Sequence, residues 1–405
     1  MDKLTLRDID VGGKRVLVRV DFNVPLDEKT GTISDDSRIR AALPTINYLV
    51  DRGAKVILCS HLGRPDGKVV ESLRLAVVAQ HLSQLLGKRV GTTRDCVGPE
   101  AEKAAKSLKS GDVLLLENLR FHAAEEENDP DFARALVSLA DIYIDDAFAA
   151  AHRKHASIVG VTKHLPAVAG LLMEKELEHL GGILENPVHP FGGLVGGAKV
   201  SDKVKMLENI MSKVDLLLIG GGMAATFLKA KSYEIGLSLV EEDRLDTATR
   251  LMEEAAKGGV RLLLPVDVMV ASEISPEAKG RVVSVETIPP HKRIVDIGQR
   301  TIENFSKALR RCKTVFWNGP MGINEIAQFA RGTQAMARLL ASLDAVTIIG
   351  GGSTAEVVTN LGLADRVTFV STGGGATLEF LGGQKLPGVE ALLDKGSLEA
   401  SKLKS

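Results

Sequence analysis

The chain has 405 residues, 44% hydrophobic and 25% charged, which is the composition of a folded chain long enough for two or three domains with their own cores. Lysine plus arginine number 51 against 52 aspartate plus glutamate, a net charge of −1, so no bulk charge favours nucleic acid or an anionic membrane, and any anion site must be local. Three widely spaced cysteines, Cys59, Cys96 and Cys312, form neither a CxxC motif nor a disulfide framework, and no stretch has the length of a signal peptide or a membrane span, so a reduced cytoplasmic setting is expected.

In chain order, RVLVRV (15–20) predicts a first strand, with Asp21 and Asn23 just beyond it and Arg38 in the loop after that. KVILCS (55–60) predicts a second, followed by His61 and Arg64; DVLLLE (112–117) is followed by Arg120, and DIYID (141–145) leads to His152 and Arg153. The run LLMEKELEHLGGILENPVHP (171–190) predicts a helix between domains, ending at a proline-marked linker. Beyond it lie DLLLIG, RLLLPVDV, TVFWNG, AVTIIG and RVTFVS, each read as one strand. Unbroken apolar strands alternating with helical patterns are the signature of parallel sheets covered on both faces. About nine strands exceed one comfortable doubly wound domain, so the fold class is α/β with two doubly wound, Rossmann-like parallel-sheet domains joined by a hinge helix. The expected bounds are 1–170, a helix at 171–185, and 186–387.

In open α/β sheets, ligands bind beyond the carboxyl ends of the strands. In the first half those positions are largely basic, which favours a small, multiply anionic ligand gripped by guanidinium forks. In the second half the strand–GGG–helix unit occurs three times, at 217–227, 346–358 and 366–381. One such run is as readily a tight turn as an anion site at a helix start, but three together favour anions. Lys199 and Lys203, four residues apart in GGAKVSDK, are expected on one helix face.

RVDFNVP (19–25), SHLGRP (60–65), LENLRFH (116–122), AHR (151–153), GGAKVSDK (196–203), GGGMA (220–224), WNGPMG (317–322) and STGGGA (371–376) together resemble the phosphoglycerate kinase family over essentially the whole chain. Each motif alone is weak, but eight in order are very specific. The resemblance implies reversible phosphoryl transfer between 1,3-bisphosphoglycerate plus ADP and 3-phosphoglycerate plus ATP, with Mg2+ accompanying the nucleotide. It further implies a cytoplasmic monomer without nucleic-acid or membrane partners, and a return of residues 388–405 to the first domain. Carried over by position, Asp21 and Asn23 resemble the groups holding the glycerate end. His61, Leu62, Gly63, Arg64, Arg120 and Arg153 resemble the cluster around the 3-phosphate, and Arg38 the arginine facing the transferred group. Lys199 resembles the lysine that follows that group, and Gly373, Gly374 and Gly375 the helix start that catches it. Lys203, Gly197, Gly221, Gly222, Ile294, Asn318, Pro320, Gly322, Glu325, Gly351, Gly352, Ser353 and Thr354 resemble the nucleotide-binding set.

Two departures stand out. Many family members carry aspartate where this chain has Ser353, so the resemblance leaves the protein ligand of the metal unassigned. Many also carry glycine where Ile294 stands. Lys154, after AHR, is expected to be a solvated surface charge. A dinucleotide-dependent dehydrogenase would need the GxGxxG spacing, which GGGMAATF lacks, and would leave the N-terminal basic cluster unused. A hinge-closing solute-binding protein would give the lysine pair no purpose. GRPDGKVV (63–70) is one residue short of a P-loop and has no Ser or Thr after its lysine.

Overall fold

The computed structural model describes residues 2–397, so the part of the expected C-terminal return at 398–405 lies outside the described residues. The described chain divides into two compact units, one of residues 2–178 and 385–397, the other of residues 179–384. The division falls inside the helix Leu171–Glu185.

The first unit is built on a six-stranded parallel sheet of β1 (Arg15–Arg19), β2 (Lys55–Cys59), β3 (Val90–Thr92), β4 (Val113–Leu115), β5 (Ile142–Asp145) and β6 (Ala167–Ala169), in the order β3-β4-β2-β1-β5-β6. Val16, Val18, Val56, Leu58, Ile142 and Ile144 are buried on it, as expected for strands covered on both faces. The chain runs outward from β1 through β2, then returns to the other side at β5. The reversal of winding, and hence the crevice where such folds bind ligands, lies at the carboxyl ends of β1 and β5.

The second unit has a parallel sheet of β7 (Phe191–Val195), β8 (Leu216–Ile219), β9 (Arg261–Leu263), β13 (Thr314–Asn318), β14 (Val346–Gly350) and β15 (Phe369–Val370), in the order β15-β14-β13-β7-β8-β9. Its winding reverses between β7 and β13. Trp317, Leu194, Val315 and Ile349 lie in the core around this sheet.

Three features differ from the sequence expectation. RLLLPVDV is two strands, not one: β9 stops at Leu263 and β10 (Asp267–Ala271) begins a separate antiparallel sheet with β11 (Arg281–Ser284) and β12 (Arg293–Ile297). Pro265 stands between them and has no N–H to extend the ladder. The short strands β3 and β6 and the glycine-bearing strand β7 are also absent from the sequence expectation. Finally, Lys199 and Lys203 do not share a helix face, because the helix there is Val204–Met211 and Lys203 is only its cap residue. The Glu241 carboxylate accepts hydrogen bonds from the Val200 and Ser201 N–H groups at 2.6 and 3.1 Å and from the Ser201 hydroxyl at 2.5 Å, and these hold residues 199–203 as a loop.

The N-terminus of the Leu171–Glu185 helix is held by a buried carboxylate. Asp146 Oδ1 accepts from the Leu172 N–H at 2.8 Å, and a Cβ at Gly170 would lie 2.1 Å from that same oxygen. Burial raises Asp146 from 3.8 to about 7 and its neighbour Asp145 to about 6. A carboxyl whose folded pKa is raised contributes stability fully below its unfolded pKa and loses it as pH rises through the folded value. For Asp146 the loss between pH 4 and 8 is on the order of 4 kcal/mol. Asp146→Asn is expected to remove much of this dependence, seen as a smaller loss of amide-exchange protection in β1 and β5 as pH rises from 5 to 8. Parallel profiles for the two proteins would contradict it.

Candidate functional site

At the winding reversal of the first unit, β1 ends in Arg19, a residue only 1% exposed. A buried cation must have partners. Arg19 Nε donates to Ser157 Oγ at 2.9 Å, and Ser157 Oγ in turn donates to Glu125 Oε1 at 2.5 Å, while the Ser157 N–H donates to Glu125 Oε2 at 2.9 Å. On its other side Arg19 Nη2 lies 3.0 Å from His61 Nδ1. An arginine can only donate, so His61 Nδ1 must accept and the ring proton must sit on Nε2. Burial, followed by the positive charges of Arg19, Arg120, Arg38 and Arg153, holds His61 well below the ordinary histidine range. His61 is therefore a neutral N–H donor of fixed orientation.

Around it the network continues through side chains named from the sequence. Asp21 pairs with Arg38, and its Oδ1 accepts from the Asn23 N–H at 3.0 Å. Asn23 Oδ1 accepts from the Gly63 N–H at 2.8 Å, and the Gly63 carbonyl accepts from Arg120 Nη1 at 3.0 Å. Asn118 clamps the same loop, accepting from Leu62 N–H at 3.2 Å and Arg120 N–H at 3.1 Å and donating to the Leu62 carbonyl at 2.8 Å. The Leu62 residue is 2% exposed, so it can offer a ligand little beyond its main chain. Arg153 is half-buried, whereas Arg64 is exposed, as is Lys154. Asp21, Asn23, Arg38, His61, Gly63 and Arg120 thus form one connected set, with Arg153 beside it. Arg19, Ser157 and Glu125, which hold its centre, are not among the residues expected from the sequence.

In the second unit the carboxyl ends of β7 and β13 meet across glycines. The Gly196 N–H donates to the Asn318 carbonyl and the Gly197 N–H to the Pro320 carbonyl, each at 2.9 Å. Gly221 has φ +67°, and a Cβ there would lie 2.5 Å from the Gly197 nitrogen, so this glycine permits two loops to touch. Beside these loops is a cavity of about 580 Å³, lined by Gly197, Gly221, Gly222, Ile294, Pro320, Gly322, Glu325 and Ser353 from the sequence expectation. It is also lined by Leu237, Leu239 and Ile274, exposed by 55, 57 and 52%, and by Asp296, all outside that expectation. The apolar lip and the glycine floor suit a flat heterocycle.

The remaining predicted positions flank this cavity. Lys203 is buried and bonds Asn318 Oδ1, and burial brings its ammonium down to about 8. Among the described residues Asn318 Nδ2 is buried without a partner, 3.1 Å from where a Gly351 Cβ would be. Thr354 Oγ1 accepts from the Gly319 N–H at 2.9 Å, so it braces the loop rather than facing a ligand. The helix Gly352–Asn360 opens with Gly352 and Ser353 exposed, and the helix Gly375–Leu381 comes after Gly373 and Gly374. Here the three glycine runs divide. Gly220–Gly222 serves close backbone packing, whereas a Cβ at Gly352 or Gly374 would meet nothing within 4 Å, leaving open helix starts where an anion can approach main-chain N–H groups. Lys199 is exposed.

The helix start at Ser353 offers a hydroxyl but no carboxylate. Asp296, in the same cavity, already accepts from the Ile297 and Gly332 N–H groups at 2.8 Å each, and burial raises its pKa to about 7. Glu356 is exposed. These groups suit a Mg2+ carried on a ligand's phosphates and waters better than a metal centre built by the protein.

The family model described as Phosphoglycerate kinase matches residues 6–384. A phosphoglycerate kinase from Moorella thermoacetica is 56% identical over 395 residues, covering 98% of this chain and all of that protein. One from Roseiflexus sp. is 56% identical over 396 residues, covering 97% of this chain and all of its own. Among solved structures, phosphoglycerate kinase from Coxiella burnetii aligns with TM-score 0.86 at 41% identity, and that from Pyrococcus horikoshii with TM-score 0.86 at 33%; each alignment covers 99% of this chain and 100% of the other.

The Arg19 contact fixes an observable. In nitrogen-detected histidine spectra, His61 is expected as the Nε2–H tautomer, with its protonation displaced well below the ordinary histidine range. A His61 titration centred near its ordinary value of about 6.5 would contradict the assignment. Ser157→Ala, which breaks the bridge between Arg19 and Glu125, is expected to lower the stability of the first unit by about 1–3 kcal/mol.

Proposed function

The chain belongs to the phosphoglycerate kinase family and is a phosphotransferase, and from that premise we propose how its two units divide the reaction. The first unit receives the phosphoglycerate and the second the nucleotide. The observation that carries this division is that each winding reversal bears the donor chemistry of one substrate. Cations and a neutral imidazole N–H stand at the first; glycine main chain, a buried lysine and an apolar-lipped cavity stand at the second.

In the first unit, Arg120, Arg153, Arg64 and the His61 Nε2–H bind the 3-phosphate, with Gly63 and Leu62 contributing main chain. Asp21 and Asn23 hold the hydroxyl and carboxyl end. In the second unit, the base lies between Gly221–Gly222 and the lip of Leu237, Leu239 and Ile274, beside Ile294. The ribose faces Glu325 and the Pro320–Gly322 loop. Lys203, steadied by Asn318, and the start of the Gly352–Asn360 helix take the phosphates. Mg2+ arrives on the nucleotide and neutralises part of its charge.

The acceptor in the direction of ATP consumption is a carboxylate, ionised at neutral pH with a reference pKa of about 4, so no general base is needed. The protein's task is to place the two anions in line and to stabilise the negative charge dispersed over the group in transit. Arg38 and Lys199 supply positive charge, and the N–H groups at Gly373–Gly375 supply fixed dipoles, all of which act most strongly once water is excluded. Because the substrates are held on different units, transfer requires closure, with the Leu171–Glu185 helix as the hinge. The reaction is the glycolytic step, carried out in the cytoplasm by a monomer.

With 3-phosphoglycerate and Mg-ATP in a coupled assay, Arg38→Ala is expected to lower kcat by about 10²–10³-fold with little change in ADP affinity. Arg64→Ala is expected to act chiefly on KM for the phosphoglycerate. The same kinetic profile for both variants, or a primary loss of ADP binding in either, would overturn the assignment.

Ser353→Asp places a carboxylate at the phosphate-facing helix start. It is expected to tighten the apparent Mg2+ affinity at fixed ADP while wild type remains Mg-dependent through nucleotide-borne metal. An unchanged Mg2+ profile in a variant that still binds ADP would show that position 353 does not face the metal.

A further inference from the structure

Beyond β3 and β4, beside the turn that carries Arg120, the first unit gathers three chemically different metal ligands. An Asp95 carboxylate oxygen, Cys96 Sγ and a His122 ring nitrogen all lie within 4.8 Å of one another. Asp95 and Cys96 lie in the segment after β3, and His122 comes directly after the turn that carries Arg120 beyond β4. We propose that Asp95, Cys96 and His122 form a zinc-binding site, with water as the fourth ligand.

The local bonding favours this donor set. Asp95 Oδ1 accepts from the Cys96 N–H at 2.7 Å, which orients the carboxylate over the same turn that carries the thiol. His122 Nε2 is 2.7 Å from Asp95 Oδ1, so the imidazole already faces the carboxylate, and the ring rests against Phe132 at a centroid distance of 5.2 Å. The three buried cysteines differ at the thiol. Cys59 Sγ donates to the Val18 carbonyl at 3.6 Å and Cys312 Sγ to the Ala308 carbonyl at 3.9 Å, whereas Cys96 Sγ makes no such bond among the described residues.

Zinc bonds of about 2.0–2.3 Å imply ligand separations of roughly 3.3–3.8 Å in a tetrahedron, so on binding the His122–Asp95 pair, 2.7 Å apart, opens by at least about 0.6 Å, while any separation near the 4.8 Å limit closes by about 1–1.5 Å. The side chains able to move are the two on the surface, Asp95 at 48% and His122 at 34% exposure, while Cys96 is fixed below them. On binding, the thiol proton leaves to solvent and the sulfur coordinates as thiolate. Zinc at +2 with one carboxylate, one thiolate and a neutral imidazole is then uncharged overall, which suits a half-buried position. Mg2+, which demands an octahedron of oxygens, does not compete for a thiolate and an imidazole.

The test uses the full chain, stripped of metal by chelation and free of nucleotide, titrated with Zn2+ and, as a spectroscopic probe, Co2+. One equivalent of Zn2+ is expected to bind with release of a proton, and Co2+ to give a thiolate charge-transfer band with tetrahedral d–d absorption. Cys96→Ser abolishes the band, whereas Cys59→Ser and Cys312→Ser keep it. His122→Gln and Asp95→Asn, both surface changes, each weaken Zn2+ by at least about tenfold. Weak octahedral cobalt absorption, a band that survives in Cys96→Ser, or Zn2+ affinity unchanged in both surface variants would overturn the site.

Discussion

A buried guanidinium sets the terms for the first unit. Arg19 ends the strand at which the sheet reverses its winding, so it lies where a ligand must bind but beneath the surface that touches it. Its charge is tolerated there because Ser157 relays it to Glu125, because one Nη donates to the Val20 carbonyl and because the other is engaged by His61. That last contact decides the chemistry above it. The imidazole is neutral and presents one N–H outward, and the arginines around it stay close without an added cation in their midst. Remove Arg19 and both the tautomer and the charge of His61 are released, while Glu125 is left buried without its counter-charge.

The second unit solves the matching problem with main chain. At its winding reversal Gly197, Gly221 and Gly319 bring three loops into backbone contact, and the cavity beside them gains a floor with no side chains. Charge enters sparingly, through Lys203, whose ammonium is held near the point of losing its proton by burial. An anionic ligand restores that proton's advantage, so affinity for phosphate and desolvation of the lysine are linked. On the proposed division the two units treat anions in opposite ways, by guanidinium forks in one and by helix starts with a buried ammonium in the other. Such a division suits a reaction in which the transferred group leaves one anion for another without a proton being abstracted.

Much of this was legible because parallel strands buried on both faces are unbroken apolar runs, and because ligands sit just beyond the carboxyl ends of those strands. RVLVRV, KVILCS and TVFWNG announce both the sheets and the positions of Asp21, His61 and Asn318. The interior Arg19 was visible in RVLVRV as a charge inside an apolar run, a signal that demands a buried partner, but its partner Ser157 lies more than 100 residues away. Strand β7, FGGLV, is hidden by its glycines; Gly192 is required because a Cβ there would meet Cys312 Sγ at 2.9 Å, a contact made only in the folded sheet. The Lys199–Lys203 loop misleads for the same reason, since Glu241, which holds it out of the helix, is distant in sequence. The exposed leucines of the cavity lip carry no local signal, because nothing in the spacing of Leu237 and Leu239 says that they face a cavity rather than a core.

The central claim is that each unit holds one substrate at its own winding reversal. Residue-resolved amide NMR of the full chain, with 3-phosphoglycerate and Mg-ADP added separately, tests it directly. The phosphoglycerate should shift the amides of residues 21–23, 61–64, 120 and 153, and Mg-ADP those of 196–198, 220–222, 320–325 and 351–354. Phosphoglycerate shifts centred on the second set, or Mg-ADP shifts centred on the first, would contradict the account.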